Sequence, residues 1–318
     1  MRRRPTIRKA RRPFAAYYRR WLDTYARAHC KPGTVDGYEA AGRLYFIPQF
    51  GDRDVATITR EDVKRLVYEV LMPGRARGTV RANVAPLREM FNHAVEDGVI
   101  AANPAARVLR RSWSEHDRAR RRVRFLRREE VSHLLATCRR AFPRWYPFML
   151  TLARTGMRLG EACALRWEDL DLDTGIADVR RAFWRGRLQS PKTGRGRRVD
   201  LSRQLITTLG ALAHAQQAAA TREGRAPSAW VFATADGRPP NTDNFRRRAW
   251  TRLFRVAGLP YACPHSLRHT YASLLIQQGE SLAYVKAQLG HRSIQTTVDT
   301  YGHLVPGGNR AAADRLDD

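Results

Sequence analysis

The sequence predicts a mainly helical protein with one small β-sheet, an α+β chain of two domains. Two observations predict it. Apolar residues recur at the helical period in segment after segment from Pro13 to Leu289, while strand-like runs are confined to the stretch between Trp167 and Leu201. At 318 residues the chain exceeds one small core, and a hydrophobic content of 43% is enough to bury a proper interior, which excludes global disorder.

Taken in order, residues 1–12 are a basic arm, with Arg2, Arg3, Arg4, Arg8, Lys9, Arg11 and Arg12 and no acid. It reads equally as a tail that contacts a polyanion and as a solvated terminus. Residues 13–106 are helical throughout, with helices expected over Phe14–Ala28, Thr34–Ile47, Asp62–Leu71 and Thr79–Glu96. Punctuation supports these breaks: Pro32-Gly33 before the second helix, Thr59 before the third, Pro73-Gly74 after it and Asn103-Pro104 at the end. From Arg107 to Arg128 only Glu115 and Asp117 oppose a run of arginines that includes Arg121 and Arg122, and no apolar period appears before Phe125-Leu126. Residues 107–124 are therefore an interdomain linker.

The second domain, 125–305, opens with a helix over Glu129–Cys138; Tyr146–Ala153 is apolar, and Leu159–Leu165 resumes as a helix after Gly156. Trp167–Asp173, Ile176–Phe183 and Arg197–Leu201 read as short strands, with Pro191-Lys192-Thr193-Gly194 as the turn between the last two. Helices follow over Leu205–Thr221, Asn241–Ala257, His265–Gln278 and Ser281–Leu289, the last two closed by Gly279 and Gly290. A polar, Thr-rich segment, Ser293–Thr300, then leads to Tyr301, and residues 306–318 form a C-terminal tail.

The net charge of +28 and a pI near 11.2 call for a polyanionic partner, nucleic acid first. The only lysines are Lys9, Lys31, Lys64, Lys192 and Lys286, so arginine dominates, and part of the excess is attributable to a GC-rich genome. The cysteines, Cys30, Cys138, Cys163 and Cys263, form no CxxC pair and read as reduced thiols of an intracellular protein, with no metal site expected. No apolar run approaches the ~18 residues of a membrane span, and the Arg-rich start lacks the apolar core of a signal peptide. A cytoplasmic, nucleoid-associated location is expected.

One constellation carries chemistry. His265 and Arg268 are three apart on one helix face, where they can hold an anion; Gly290 delivers His291 at a helix end, and Tyr301 follows. A tyrosine hydroxyl has a pKa near 10, so as a nucleophile it needs a proton acceptor and cations to absorb charge on the group it attacks. Upstream, Arg158 lies where the chain breaks at Gly156, and its planar fork suits two phosphate oxygens. Glu161 buttresses it, although the two also read as a plain i,i+3 surface pair. Lys192 is the one pointed lysine of the second domain, because an ammonium gives up a proton far more easily than a guanidinium. His269 reads as a structural neighbour of Arg268, His303 as merely close by, and Tyr271 and Tyr284 as core positions.

These boxes resemble those of the tyrosine recombinases, the phage and transposon integrase family. Thr155-Gly156-Met157-Arg158-Leu159-Gly160-Glu161-Ala162 looks like the first arginine box, His265-Ser266-Leu267-Arg268-His269 like the second, and Leu289-Gly290-His291 like the third; Ser190-Pro191-Lys192-Thr193 resembles the lysine hairpin, and Tyr301 sits where the family keeps its nucleophile. Any one alone is weak, but five in the right order are specific. Arg127 departs from the Ser or Thr that the family commonly has at that helix start.

The resemblance implies a helical core-binding domain of SAM-like type at 13–106 and a catalytic domain at 125–305, clamped around DNA and joined by a cationic linker. It implies that Tyr301 cuts and rejoins DNA through a 3′-phosphotyrosyl bond, with Arg158, Lys192, His265, Arg268 and His291 as catalytic partners, no cofactor, and no ATP or metal. Double-stranded attachment sites, a homotetramer on two sites, docking of the C-terminal tail on a neighbour, and accessory DNA-bending or directionality proteins are its implied partners. Arg43, Lys64, Arg81, Arg121, Arg122 and Arg246 are the candidate DNA contacts, each weighed against a solvated side chain. With no room for an arm-binding domain, the chain is expected to be a two-domain recombinase or a shortened integrase, serving integration or excision of a mobile element. Two other readings stay open: a type IB topoisomerase, and a catalytically inactive DNA-binding protein on an integrase scaffold.

Overall fold

The computed structural model describes residues 11–109, 125–191, 194–305 and 314. The chain divides into two compact units, 1–121 and 122–318. The basic arm before residue 11, Arg121 and Arg122 of the linker, Lys192 and nearly all of the tail lie outside the described residues.

Among its described residues the first unit forms helices and no β-strand. Helix α1 (Phe14–Trp21) runs through a π-helical turn at Leu22–Ala26 into Arg27–His29, and α2 (Pro32–Ala41) runs through another at Gly42–Phe46 into Ile47–Phe50. Both helices are thus longer than the periodicity indicated. Proline at the first position of α2 explains its early start, because the missing N–H is one that no helix satisfies there. Helix α3 (Arg60–Arg65) begins where Thr59 Oγ1 accepts the Asp62 N–H and Asp62 in turn accepts the Thr59 N–H, a reciprocal cap. Helix α4 (Arg77–Glu96) completes the unit. Its core is aromatic: Phe14, Tyr18, Phe46 and Phe91 are fully buried, with Trp21 and Phe50 beside them. Gly42 is needed here, since a Cβ would lie 2.4 Å from the Tyr18 ring.

In the second unit α5 (Arg128–Ala141), α6 (Tyr146–Thr155) and the short α7 (Leu159–Cys163) precede the sheets. The strands are β1 (Leu170–Asp171), β2 (Ile176–Val179), β3 (Ala182–Trp184), β4 (Arg187–Gln189) and β5 (Arg197–Asp200). They form an antiparallel three-stranded sheet β1-β2-β5, with Ile176 opposite Asp200 and Val179 opposite Arg197, and a separate β3-β4 hairpin.

Two strand expectations are corrected. Trp167–Asp173 is a 3₁₀ turn at Trp167–Asp169 followed by the two residues of β1, because the Asp169 carboxylate accepts the Arg166 N–H and closes the turn. Ile176–Phe183 is two strands in two sheets, broken at Arg180-Arg181, where the Arg181 guanidinium turns back onto both Asp169 oxygens at 3.1 and 2.9 Å.

Helix α8 (Arg203–Arg222) follows, then Thr242–Asn244 and a π-helical turn at Phe245–Trp250 leading into α9 (Thr251–Val256). The chain closes with α10 (His265–Gln277), α11 (Leu282–Leu289) and α12 (Ile294–Tyr301). The Thr-rich segment before Tyr301 is thus a helix, started by Ser293 Oγ accepting the Gln295 N–H. Its Thr297 is buried, and Tyr301 joins Tyr271, Ala272, Ile276, Val285 and Leu289 in a small apolar cluster apart from the main core.

Candidate active site

The site is assembled around two helix breaks, at Gly156 and Gly290. Helix α6 ends at Gly156, which has a left-handed φ of 60° and leaves no space for a side chain, as a Cβ there would meet the Tyr271 ring at 2.6 Å. The chain turns and α7 starts with Arg158, whose backbone N–H donates to Glu161 Oε2 at 2.9 Å while its Nη1 donates to Oε1 at 2.7 Å. Gly160 lets β3 approach α7, since a Cβ there would lie 2.2 Å from the Phe183 carbonyl oxygen.

Glu161 is 1% exposed, so the pair is not a surface one. A third group completes its charge balance: Arg197 of β5 donates from Nη2 to Glu161 Oε2 at 2.7 Å. Burial alone would raise the Glu161 carboxyl, but the hydrogen bond and charge of Arg197, together with Arg158, outweigh it and bring it down to about 2.

Arg268 lies on α10 and is 2% exposed. Its Nη1 donates to the Gly156 carbonyl at 2.8 Å and its Nη2 to the Leu289 carbonyl, so it ties the break after α6 to the end of α11. Arg197 does the same one residue earlier, donating from Nε to the Gln288 carbonyl at 2.8 Å. Two cations thus cap the last carbonyls of α11, the negative end of its dipole. Burial, and then the like charge of Arg158, push the Arg268 guanidinium down to about 9, still protonated at neutral pH.

Gly290, with a φ of 65°, ends α11 beneath the Arg197 side chain and releases His291. His291 Nδ1 lies 2.9 Å from Thr297 Oγ1 of α12, which fixes the ring. Burial, then the charges of Arg268 and Arg158, lower His291 to about 4, so it is neutral at pH 7.

Tyr301 is 3% exposed, and its hydroxyl sits 2.6 Å from His269 Nδ1. Burial raises the phenol to about 12, against a smaller lowering by Arg268. Burial, then Arg268, lowers His269. His265 is exposed at the start of α10, with its ring edge-on to that of His269 at 4.7 Å between centroids.

Of the expected site residues, Arg158, Glu161, Arg268, His291 and Tyr301 thus converge, and His265 borders them through His269. Lys192 lies outside the described residues, between Pro191 and Gly194, where the Gly194 N–H donates to the Pro191 carbonyl at 2.9 Å. Two residues were missed. Arg197 carried one signal, its period-two spacing from the buried Val199 on β5. His269, read as structural, is four residues after His265 and so shares its helix face, and it is this histidine that meets the tyrosine.

Among the DNA-contact candidates, Arg43 and Arg81 are exposed, Lys64 pairs with Glu61 at 3.2 Å, and Arg246 is exposed and 3.7 Å from Asp243. Arg81 also lines a cavity of about 290 Å³ in the first unit with Arg77, Arg88 and Arg107. Among the described residues no group of three or more His, Cys, Asp or Glu could hold a metal ion, and no helix is long and apolar enough to cross a membrane. The described cysteines are all free.

Fold and site together define a class: a two-unit α+β protein whose second unit gathers a buried tyrosine, histidines and arginines into one cationic cluster. Comparison with known proteins gives the class its family. The model of the phage integrase family matches residues 124–306, and that of the phage integrase N-terminal SAM-like domain matches 13–71. The chain belongs to the phage integrase family, the tyrosine recombinases.

Its relatives include the ICEBs1 integrase of Bacillus subtilis, 28% identical over 272 residues, with 83% of this chain and 72% of that protein covered. A Tn1549 transposon integrase in complex with a circular intermediate DNA superposes with a TM-score of 0.78 at 20% identity, over 96% of this chain and 99% of that one. A lambda integrase tetramer bound to a Holliday junction superposes with a TM-score of 0.67 at 18% identity, over 89% and 78%.

Proposed function

We propose that the chain is the integrase of a mobile element, a site-specific DNA recombinase that cuts and rejoins DNA through Tyr301. The single observation that carries this reading is the Tyr301 hydroxyl, held against a histidine beside the buried cation Arg268. Tyr301 attacks a scissile phosphate, forms a 3′-phosphotyrosyl bond and releases a 5′-hydroxyl. Arg158 and Arg268 stabilise the non-bridging oxygens, and Glu161 with Arg197 sets the Arg158 guanidinium. His291, neutral at pH 7, donates a hydrogen bond to the phosphate; His265 assists proton transfer, and Lys192 protonates the departing 5′ oxygen.

Phosphate-bond energy is kept in the phosphotyrosyl link, so neither ATP nor a metal is consumed or required. A 5′-hydroxyl from a second duplex then attacks the link and exchanges partners. Four copies working on two attachment sites is the assembly this reading implies, and the likeness to a lambda integrase tetramer supports it. Arg43, Lys64, Arg81, Arg121, Arg122 and Arg246 are DNA contacts in the same reading, accessory DNA-bending proteins set direction, and the protein works on the nucleoid.

The test is a nicked duplex carrying a site that the protein itself selects from random DNA, incubated in EDTA. Wild type is expected to give a covalent protein–DNA band after denaturation, and Tyr301→Phe none. No band on DNA that the protein binds would favour a binding-only protein on the same scaffold.

A further inference from the structure

The contact between His269 and Tyr301 has no role in the reaction as written above, where His265 serves proton transfer. Its geometry is more specific than that of His265. Residues 265, 268 and 269 share one face of α10, so a hydroxyl bonded to His269 lies beside the Arg268 cation. His265 is exposed at the helix start, while His269 is half-buried, its ring bracketed by His265 on its own helix and by Tyr301 on α12. The other charged or titratable groups that act on this corner are Arg268 and, from the end of α11, His291.

With the phenol protonated and the imidazole neutral, Oη–H donates to Nδ1 and the imidazole hydrogen sits on Nε2. That is the arrangement a proton acceptor needs before attack.

We propose that His269 is the general base of this site, accepting the Tyr301 proton at Nδ1 as the phenol attacks the phosphate. The inference rests on the reading of Tyr301 as the nucleophile. As the Oη–P bond forms and the P–O5′ bond breaks, the Oη proton passes to Nδ1 and leaves an imidazolium. The 5′ oxygen takes its own proton from a separate acid. In the rejoining step the tyrosyl oxygen departs with the proton returned from Nδ1, so the histidine ends as it began. The phosphate bound beside it supplies the negative charge that favours the imidazolium.

The test uses the whole protein and a nicked duplex of its selected site in which the scissile 5′ oxygen is replaced by sulfur. A thiolate leaves without an acid, so the rate reports on activation of the tyrosine. His269→Ala is expected to slow covalent-complex formation by roughly 10²-fold, with DNA binding unchanged and added imidazole restoring the rate. His269→Asn, whose side-chain oxygen can hold the hydroxyl but cannot take its proton, is expected to stay slow and serves as the second variant should the alanine protein fail to fold. Wild-type rates in either variant would overturn the proposal, full activity of the asparagine variant reducing His269 to a positioning residue. Tyr301→Phe run in parallel separates the failures: a covalent complex persisting there sinks the nucleophile reading itself, and this inference with it.

Discussion

Arg197 and Glu161 meet across 36 residues of chain, with Nη2 donating to Oε2 at 2.7 Å and both side chains withdrawn from solvent. Glu161 also binds Arg158. One buried carboxylate therefore orients two guanidinium groups, one reaching toward the site and one locked to the end of α11.

Removing that carboxylate leaves buried cations without a counter-charge. Glu161→Ala is expected to destabilise the second unit by about 3–5 kcal/mol, read as a lower urea midpoint, and to abolish strand cleavage at temperatures where the variant remains folded. A variant as stable as wild type would contradict the buried-pair geometry.

Acid stability should fall in two stages with different owners. His291 has a folded pKa lowered from 6.5 to about 4, so the unfolded chain binds its proton first and stability declines as pH drops through that window. Glu161 is lowered from 4.5 to about 2, so its contribution is present above 4.5 and is lost as pH falls toward 2. Urea midpoints measured against pH should fall less through the upper stage in His291→Gln, where the lowered His269 remains, and less through the lower one in Glu161→Gln, where Asp62 remains.

Glycines at the two breaks are not equivalent to glycines elsewhere. Gly156→Ala puts a methyl 2.6 Å from the Tyr271 ring at a φ of 60°, and is expected to cost about 1–3 kcal/mol. Gly210→Ala, with open space in the middle of α8, is expected to stabilise by about 0.4–1 kcal/mol. Thermal melts of the two variants should move in opposite directions.

Arg158→Lys keeps the charge and loses the fork. Covalent-complex formation is expected to drop by roughly 10²–10³-fold while duplex binding, measured by gel shift, is retained. DNA affinity itself should depend steeply on salt, with a log–log slope of about −0.9 per phosphate neutralised. Arg81→Gln should weaken binding to all sequences alike and flatten that slope by about 1.

The helices were legible because their apolar period and their caps agree, as at Thr59 and Asp62, where local hydrogen bonds decide the start. What sequence reasoning missed is decided at long range. The strand expected over Ile176–Phe183 breaks because Arg181 bonds a carboxylate twelve residues back, and no pattern within the strand announces it. The boxes made Arg158, Arg268, His291 and Tyr301 legible as chemistry. Arg197 was hidden among other arginines; its spacing from Val199 separates it from the outward-pointing Arg198, but only the fold shows that it meets Glu161. His269 was visible at helical spacing from His265, but which histidine meets the phenol depends on where α12 docks, and no local pattern sets that.

The most direct test of the central claim is mass spectrometry of the trapped complex. Trypsin releases Ser293–Arg310, a fragment whose single tyrosine is Tyr301. The account predicts this fragment carrying a nucleotide joined through its 3′ phosphate. An adduct on another residue, such as Tyr271 or Tyr284, or none on DNA that the protein demonstrably binds, would contradict it.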